Sequence, residues 1–229
     1  MAANGRQAER SEASTHQVLA TALGLFSHQG YGATSMRQIS EASGVSVGNL
    51  YHHFGSKEAI YQRLIDDYWE RLLDRNHPLN QVFYKARFPD DLEEMAAAIE
   101  ATVEDNADSI MLIFIDVIEF RGEHIRRFYE SMAERFREAY RESFETRRRD
   151  GRLGDVDPVV AVMVATRWLF YFYTVEKCFG VPMHFGMNAS QAVGEFIRIL
   201  RYGVLPRAGE TATAPRTKGD VDRDGGRTT

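Results

Sequence analysis

Residues Thr34–Glu58 read TSMRQISEASGVSVGNLYHHFGSKE, and the punctuation of this stretch decides the fold. Ser35 and Gln38 stand three apart, the spacing of a capping box that opens a helix by satisfying two free backbone amides reciprocally. The short helix that follows would turn Ile39 and Ala42 inward and end at Gly44, where a positive φ is open to glycine and costly for other residues. Ser46 offers a fresh N-cap, and a third short helix runs through Leu50 to about His53. Ser56 caps a fourth, from Lys57 to about Asn76, with Ile60, Leu64, Tyr68 and Leu72 on one side. Upstream, Val18, Leu19, Ala22, Leu25 and Phe26 share one face of a first helix expected from about Ser11 to Gln29. Helices of about seven residues are marginal alone in water. The two short ones must therefore pack on the first and fourth, and two short helices meeting at a glycine turn make a helix-turn-helix. Its second helix is the one that enters a DNA groove.

The rest of the composition limits what such a motif serves. The chain has 229 residues, 44% apolar and 27% charged, enough to bury a sizeable core. One cysteine excludes a disulfide framework or a thiolate zinc site within one chain. No run reaches 18 uninterrupted apolar residues, so no membrane span is expected. Met1–Glu12 carries no apolar stretch and is not expected to be a secretory signal, which points to a cytoplasmic protein. The net charge is −5; residues 1–60 balance Arg6, Arg10, Arg37 and Lys57 against Glu9, Glu12, Glu41 and Glu58, and the middle of the chain is acidic. A protein that coats nucleic acid indiscriminately would be basic. Any DNA contact must come from a small, well-placed patch.

The quoted stretch resembles the DNA-binding segment of the TetR family of bacterial one-component transcriptional regulators. The resemblance rests on Ile39 through Ser46, on Leu50-Tyr51-His52-His53-Phe54 and on Ser56-Lys57-Glu58, with Ser43 where that family often has alanine. It is strong over roughly residues 12–62 and implies that Tyr51, His53 and Lys57 contact the DNA backbone. The residues themselves supply candidates for reading base edges: Arg37, whose fork grips guanine; Asn49, which pairs similarly with adenine; Val47, facing a thymine methyl; His52; and Gly48, which permits close approach. Ser35 and Ser46 are caps first, with hydroxyls within reach of phosphate. The reading helix lacks Lys and Arg, so modest non-specific affinity and a shallow salt dependence are expected.

Beyond residue 90 the pattern is long and helical. Asp90–Asp105 is amphipathic, Ile110–Phe120 is apolar on nearly all sides, and Arg121–Arg149 carries an inward stripe of Ile125, Phe128, Met132, Phe136, Tyr140 and Phe144. Asp157-Pro158 opens a helix through about Phe179, and Ala189–Tyr202 forms the last. One chain has too few other helices to enclose both, so a four-helix dimer interface is expected, with Phe170, Tyr173, Val193, Phe196, Ile197 and Leu200 in it. The TetR resemblance implies the same dimer. The expected effector chamber is lined by Ile99, Phe114, Phe128, Met132, Met163, Arg167, Trp168 and Phe172. Arg167 interrupts an apolar helix and needs a partner: either Asp116 or Glu119, or an anionic group of the effector.

Four segments result: a flexible arm at 1–11, the helix-turn-helix DNA-binding domain at 12–58, the helical effector-binding and dimerisation domain at 59–206, and a disordered tail at 207–229. The fold class is all-α, with an N-terminal three-helix helix-turn-helix domain joined to a larger helical ligand-binding and dimerisation domain. No pair among the seven histidines stands at i, i+3 or i+4, Cys178 lies alone on an apolar helix, and no glycine loop cradles phosphate. An enzyme, a metal and a cofactor are therefore not expected. The expected partners are a palindromic double-stranded operator, a small effector and a second copy of the chain. The function expected is a sequence-specific regulator, in the family's usual mode a repressor, released by a lipophilic or aromatic effector. The competing reading is a helical dimeric ligand-binding or interaction protein without DNA binding.

Overall fold

The computed structural model describes residues 2–151 and 156–203, and among them the secondary structure is helical with no strand. Helix α1 spans Ala2–Gln29, α2 Met36–Ser43, α3 Val47–Phe54 and α4 Lys57–Leu73. The short helices begin where the serines say. Ser35 Oγ accepts the Gln38 amide while Gln38 Oε1 accepts the Ser35 amide, closing the capping box. Ser46 and Ser56 accept the amides of Asn49 and Ala59. Gly44 closes α2 at φ 69°.

Two details of this domain differ from the sequence expectation. Helix α1 begins at Ala2, ahead of the start expected near Ser11, and no proline intervenes between them. On α2 the inward positions are Met36, Ile39 and Ser43, and Ala42 faces solvent. Ser43 can be buried because its hydroxyl accepts from the Val45 amide at 3.4 Å and donates to the Ser40 carbonyl at 3.5 Å.

The chain then continues through α5 Pro78–Lys85, α6 Leu92–Asp105, α7 Ala107–Glu119, α8 Arg126–Arg149, α9 Pro158–Tyr173 and α10 Ala189–Tyr202. Helix α9 loosens into a π-helical turn at Thr174–Cys178. Helix α5, unanticipated from sequence, starts with Pro78 in its first turn and His77 as N-cap, and buries Leu79 and Val82. Helix α8 starts five residues later than expected, because Arg121 and Gly122 both take positive φ and make a turn. The tail expected at 207–229 lies outside the described residues.

Two cores result. The first gathers Val18, Ala22, Phe26, Ile39, Leu50, Ile60, Tyr61 and Ile65, and borrows Leu112 and Ile125 from the larger body. The second holds Tyr68, Leu72, Met95, Ile99, Tyr140, Val162, Leu169, Phe172 and Phe196. Helix α4 passes from one to the other between Ile65 and Tyr68, less than one turn. By length and composition the stretch Pro158–Cys178 would suffice to cross a membrane, which the sequence reading did not anticipate. Here it packs on α6, α8 and α10 and places Val162, Ala165, Leu169 and Phe172 in the second core.

Candidate nucleic-acid interface and effector cavity

Helix α3 has two sides. Leu50 is fully buried and Phe54, one turn on, is half-buried, which fixes the helix against α2 and α4. The opposite side stands in solvent: Val47, Gly48, Asn49, Tyr51, His52 and His53 are all exposed, with Tyr51 at 52%. The His52 and His53 rings meet edge to face at 5.3 Å. On α2, Arg37 is exposed and its Nε holds Glu41 Oε1 at 2.7 Å; that bond raises the guanidinium pKa further. Ser35 and Ser46 are exposed residues whose hydroxyls are committed to their caps.

Lys57 differs from its expected role. Its ammonium donates to the Tyr31 and Thr34 carbonyls, both at 2.7 Å, and lies 3.9 Å over the Tyr31 ring. Burial pulls its pKa below the usual lysine value, and Glu119 opposes that shift. Lys57 therefore clamps the turn between α1 and α2. Glu119, at the end of α7, accepts the Gly32 amide of the same turn at 3.2 Å, and a Cβ at Gly32 would lie 3.2 Å from its carboxylate. Beside it the Tyr61 hydroxyl donates to the Leu112 carbonyl at 2.5 Å, and the Tyr61 and Phe120 rings stack at 4.9 Å. Burial, reinforced by Asp116, pushes the Tyr61 phenol far up, so it remains a donor.

A cavity of about 810 Å³ opens among α4, α5, α7, α8 and α9. Of the residues expected to line it, Phe114, Phe128, Met132 and Arg167 do so. Ile99 and Phe172 are instead buried in the second core, Met163 packs against that core outside the cavity wall, and Trp168 is wedged between Phe172 at 4.9 Å and Phe196 at 3.8 Å. Phe170, expected in a subunit interface, lines the cavity. Tyr173, Val193, Phe196 and Ile197 are buried within the protomer, and Leu200 packs against the same core. The wall residues missed in sequence include Tyr68, Trp69 and Leu72 on α4, Phe83 and Tyr84 on α5, and Ile110 and Ile113 on α7. Trp69 stacks face to face on Phe128 at 3.9 Å.

Arg167 takes neither expected carboxylate. Asp116 is fully buried and bound to His124 Nδ1 at 2.5 Å and to the Ile125 amide at 3.3 Å, and Glu119 serves the Gly32 turn. Arg167 is exposed, its guanidinium 5.9 Å from the Tyr129 ring centre. Its position at the cavity, outside the core, removes the need for an internal ion pair.

The described residues thus form a small helix-turn-helix domain with an exposed α3 face, tied by α4 and α7 to a larger helical body with an apolar cavity. Residues 18–64 match the family described as "Bacterial regulatory proteins, tetR family", a match confined to the N-terminal domain. The HTH-type transcriptional regulator AcrR of Shigella flexneri is 35% identical over 121 residues, a match spanning 50% of this chain and 54% of that protein. The chain thus aligns with about half the length of that relative. The HTH-type transcriptional repressor KstR2 of Rhodococcus jostii (strain RHA1) is 27% identical over 176 residues, 72% of this chain and 81% of that one. Among solved structures, the TetR family transcriptional regulator PfmR from Thermus thermophilus superposes with TM-score 0.54 at 21% identity, over 82% of this chain and 96% of that chain. The MbdR regulator from Azoarcus sp. CIB gives 0.56 at 18%, over 84% and 100%. At such identities the likeness concerns the fold.

Proposed function

We propose that this protein is a homodimeric, sequence-specific DNA-binding regulator, acting in the cytoplasm as a repressor and released from a palindromic operator by a small lipophilic or aromatic effector. The observation that carries this reading is the face of α3. Leu50 anchors the helix while Val47, Asn49, Tyr51 and His52 stand free beside it. Side chains held outward on a capped, rigid helix can reach base edges in a major groove. Tyr51 can give its hydroxyl to a phosphate. Lys57 serves this face indirectly, by fixing the turn from which α2 springs.

Coupling to an effector follows from α4 and α7. Helix α4 lends Tyr68, Trp69 and Leu72 to the cavity and Ile60, Tyr61 and Ile65 to the DNA-binding core. Helix α7 lends Ile110, Ile113 and Phe114 to the cavity and holds the Gly32 turn through Glu119. A ligand that prefers one spacing of these walls shifts the position of the reading head by its differential affinity for the two states. For the dimer, the apolar groups left outward are Val160 and Val164 on α9 and Ile199 and Tyr202 on α10, each about half exposed or more. These take the place of the buried residues first expected there.

Selection of bound sequences from random DNA, followed by gel shift of the winners, tests the reading. Enrichment of a two-fold symmetric site, lost on Tyr51→Ala with the fold kept, is the expected outcome. No enrichment at low salt would leave a helical ligand-binding or interaction protein in its place.

A further inference from the structure

The cavity is apolar, yet its charged groups are nearly all of one sign. Arg75, Arg135 and Arg167 line it, and Glu138, one turn from Arg135, is the single carboxylate among its described wall residues. In an acidic chain, none of the three guanidinium groups has a carboxylate partner among the described residues. Arg75 lies 4.9 Å from the Tyr84 ring centre, Arg167 lies 5.9 Å from that of Tyr129, and Arg135 donates only to the neutral Ser131 hydroxyl at 3.1 Å. Aromatic faces are weak partners for an exposed cation and leave its planar donors free for an anion. Trp69 lends the same wall an aromatic surface, stacked on Phe128 at 3.9 Å, for the apolar part of such a ligand.

Building on the effector reading above, we propose that the ligand of this cavity is an amphipathic anion: a flat or aliphatic apolar body lying against Trp69, Phe114, Phe128 and Phe170, with a carboxylate or similar anionic head held by the guanidinium groups of Arg167 and Arg135. The apolar body supplies most of the burial. The head supplies selectivity, because a fork of guanidinium donors accepts two oxygens at once and rejects a cation outright.

Three probes of one body and different heads test this on the full-length protein: 1-pyrenebutanoate, 1-pyrenebutanol and 1-pyrenebutylamine, each titrated while pyrene fluorescence anisotropy is followed. The acid binds about tenfold or more tighter than the alcohol, the scale of a charge-assisted hydrogen bond, and the amine binds weakest. In the Arg135→Gln/Arg167→Gln double variant the acid falls to the alcohol's level while the alcohol's Kd stays put, an outcome that damage to the fold would not produce. Both side chains are exposed, so folding is expected to survive, and circular dichroism checks it. Equal binding of acid and alcohol, or equal loss of both in the double variant, overturns the anionic head and leaves the lipophilic cavity standing. Failure of all three probes, with the operator shift intact, overturns the effector reading itself and this proposal with it.

Discussion

Lys57 and Tyr51 stand six residues apart, and in the proposed regulator they divide the work of the reading head between structure and contact. The Lys57 ammonium closes two carbonyls of the α1–α2 turn, whereas Tyr51 has half its surface in water. Lys57→Met should therefore lower unfolding free energy by about 1–2 kcal/mol, the scale of charged hydrogen bonds discounted for partial exposure, and weaken operator binding with it. Tyr51→Ala should leave stability within about 0.5 kcal/mol and still remove the gel shift. Urea unfolding beside a binding assay separates the two, and the reverse pattern would refute the division. Asp91 gives the pH prediction. It is 3% exposed, neither carboxylate oxygen reaches a donor in bonding geometry, and burial raises its pKa although nearby backbone amides and Arg87 pull the other way. A carboxyl raised on folding holds its proton more tightly in the folded state. Its contribution is fully present below the unfolded pKa and is lost as pH climbs through the raised folded value. Asp91→Asn should accordingly raise Tm at pH 7, with the gain shrinking towards pH 4; a Tm difference that ignores pH would contradict this account.

At the scale of elements, what could be read from sequence was local chemistry. Caps and turns are written in neighbouring residues, so Ser35, Gln38, Ser46, Ser56 and Gly44 mark the starts and stops that the structure has. Gly44 is the clearest case. Its φ is 69° and a Cβ there would meet nothing within 4 Å, so any cost of Gly44→Ala lies in the backbone alone. That substitution should cost about 1–2 kcal/mol in thermal or urea unfolding, the penalty of left-handed geometry for an L-residue, and a neutral result would mean the turn relaxes. Helix α5 escaped because its eight residues give barely two turns of periodicity, although Pro78 was a fair signal for its start. The cavity was half legible for a different reason. An inward stripe does not say whether its neighbours meet it or leave a gap: Phe128 and Met132 face the cavity, while Phe136, one turn on, lies both in the core and at the cavity's edge. Arg167 misled because an apolar helix was read as buried all round, whereas one side of α9 opens to solvent through Val160, Val164, Arg167 and Tyr171.

The whole molecule has to solve a problem that one reading helix cannot. Helix α3 has eight residues and, at 1.5 Å each, spans about 12 Å, enough to touch only a few base pairs. It also carries no Lys or Arg, so electrostatics cannot make up the deficit, and the slope of log K against log salt should stay within that of about three phosphates per subunit. The proposed dimer would solve it, since binding of the second head becomes intramolecular and raises affinity by about 10² to 10⁴ without any new contact. In that dimer the bodies would meet through apolar surface that the protomer leaves uncovered. Val164 at 49% and Ile199 at 48% exposure are such groups, and neither lines the cavity. A charge placed in a packed interface is costly, whereas on a free surface it is close to neutral. Val164→Glu with Ile199→Glu should thus convert a dimer to a monomer by light scattering and cut operator affinity by about 10² or more, with the monomer's circular dichroism and its binding of lipophilic ligand retained. A double variant that stays dimeric would place the subunit contact elsewhere, and one that turns monomeric yet binds the full operator as before would show that pairing is not what gives this reading head its grip.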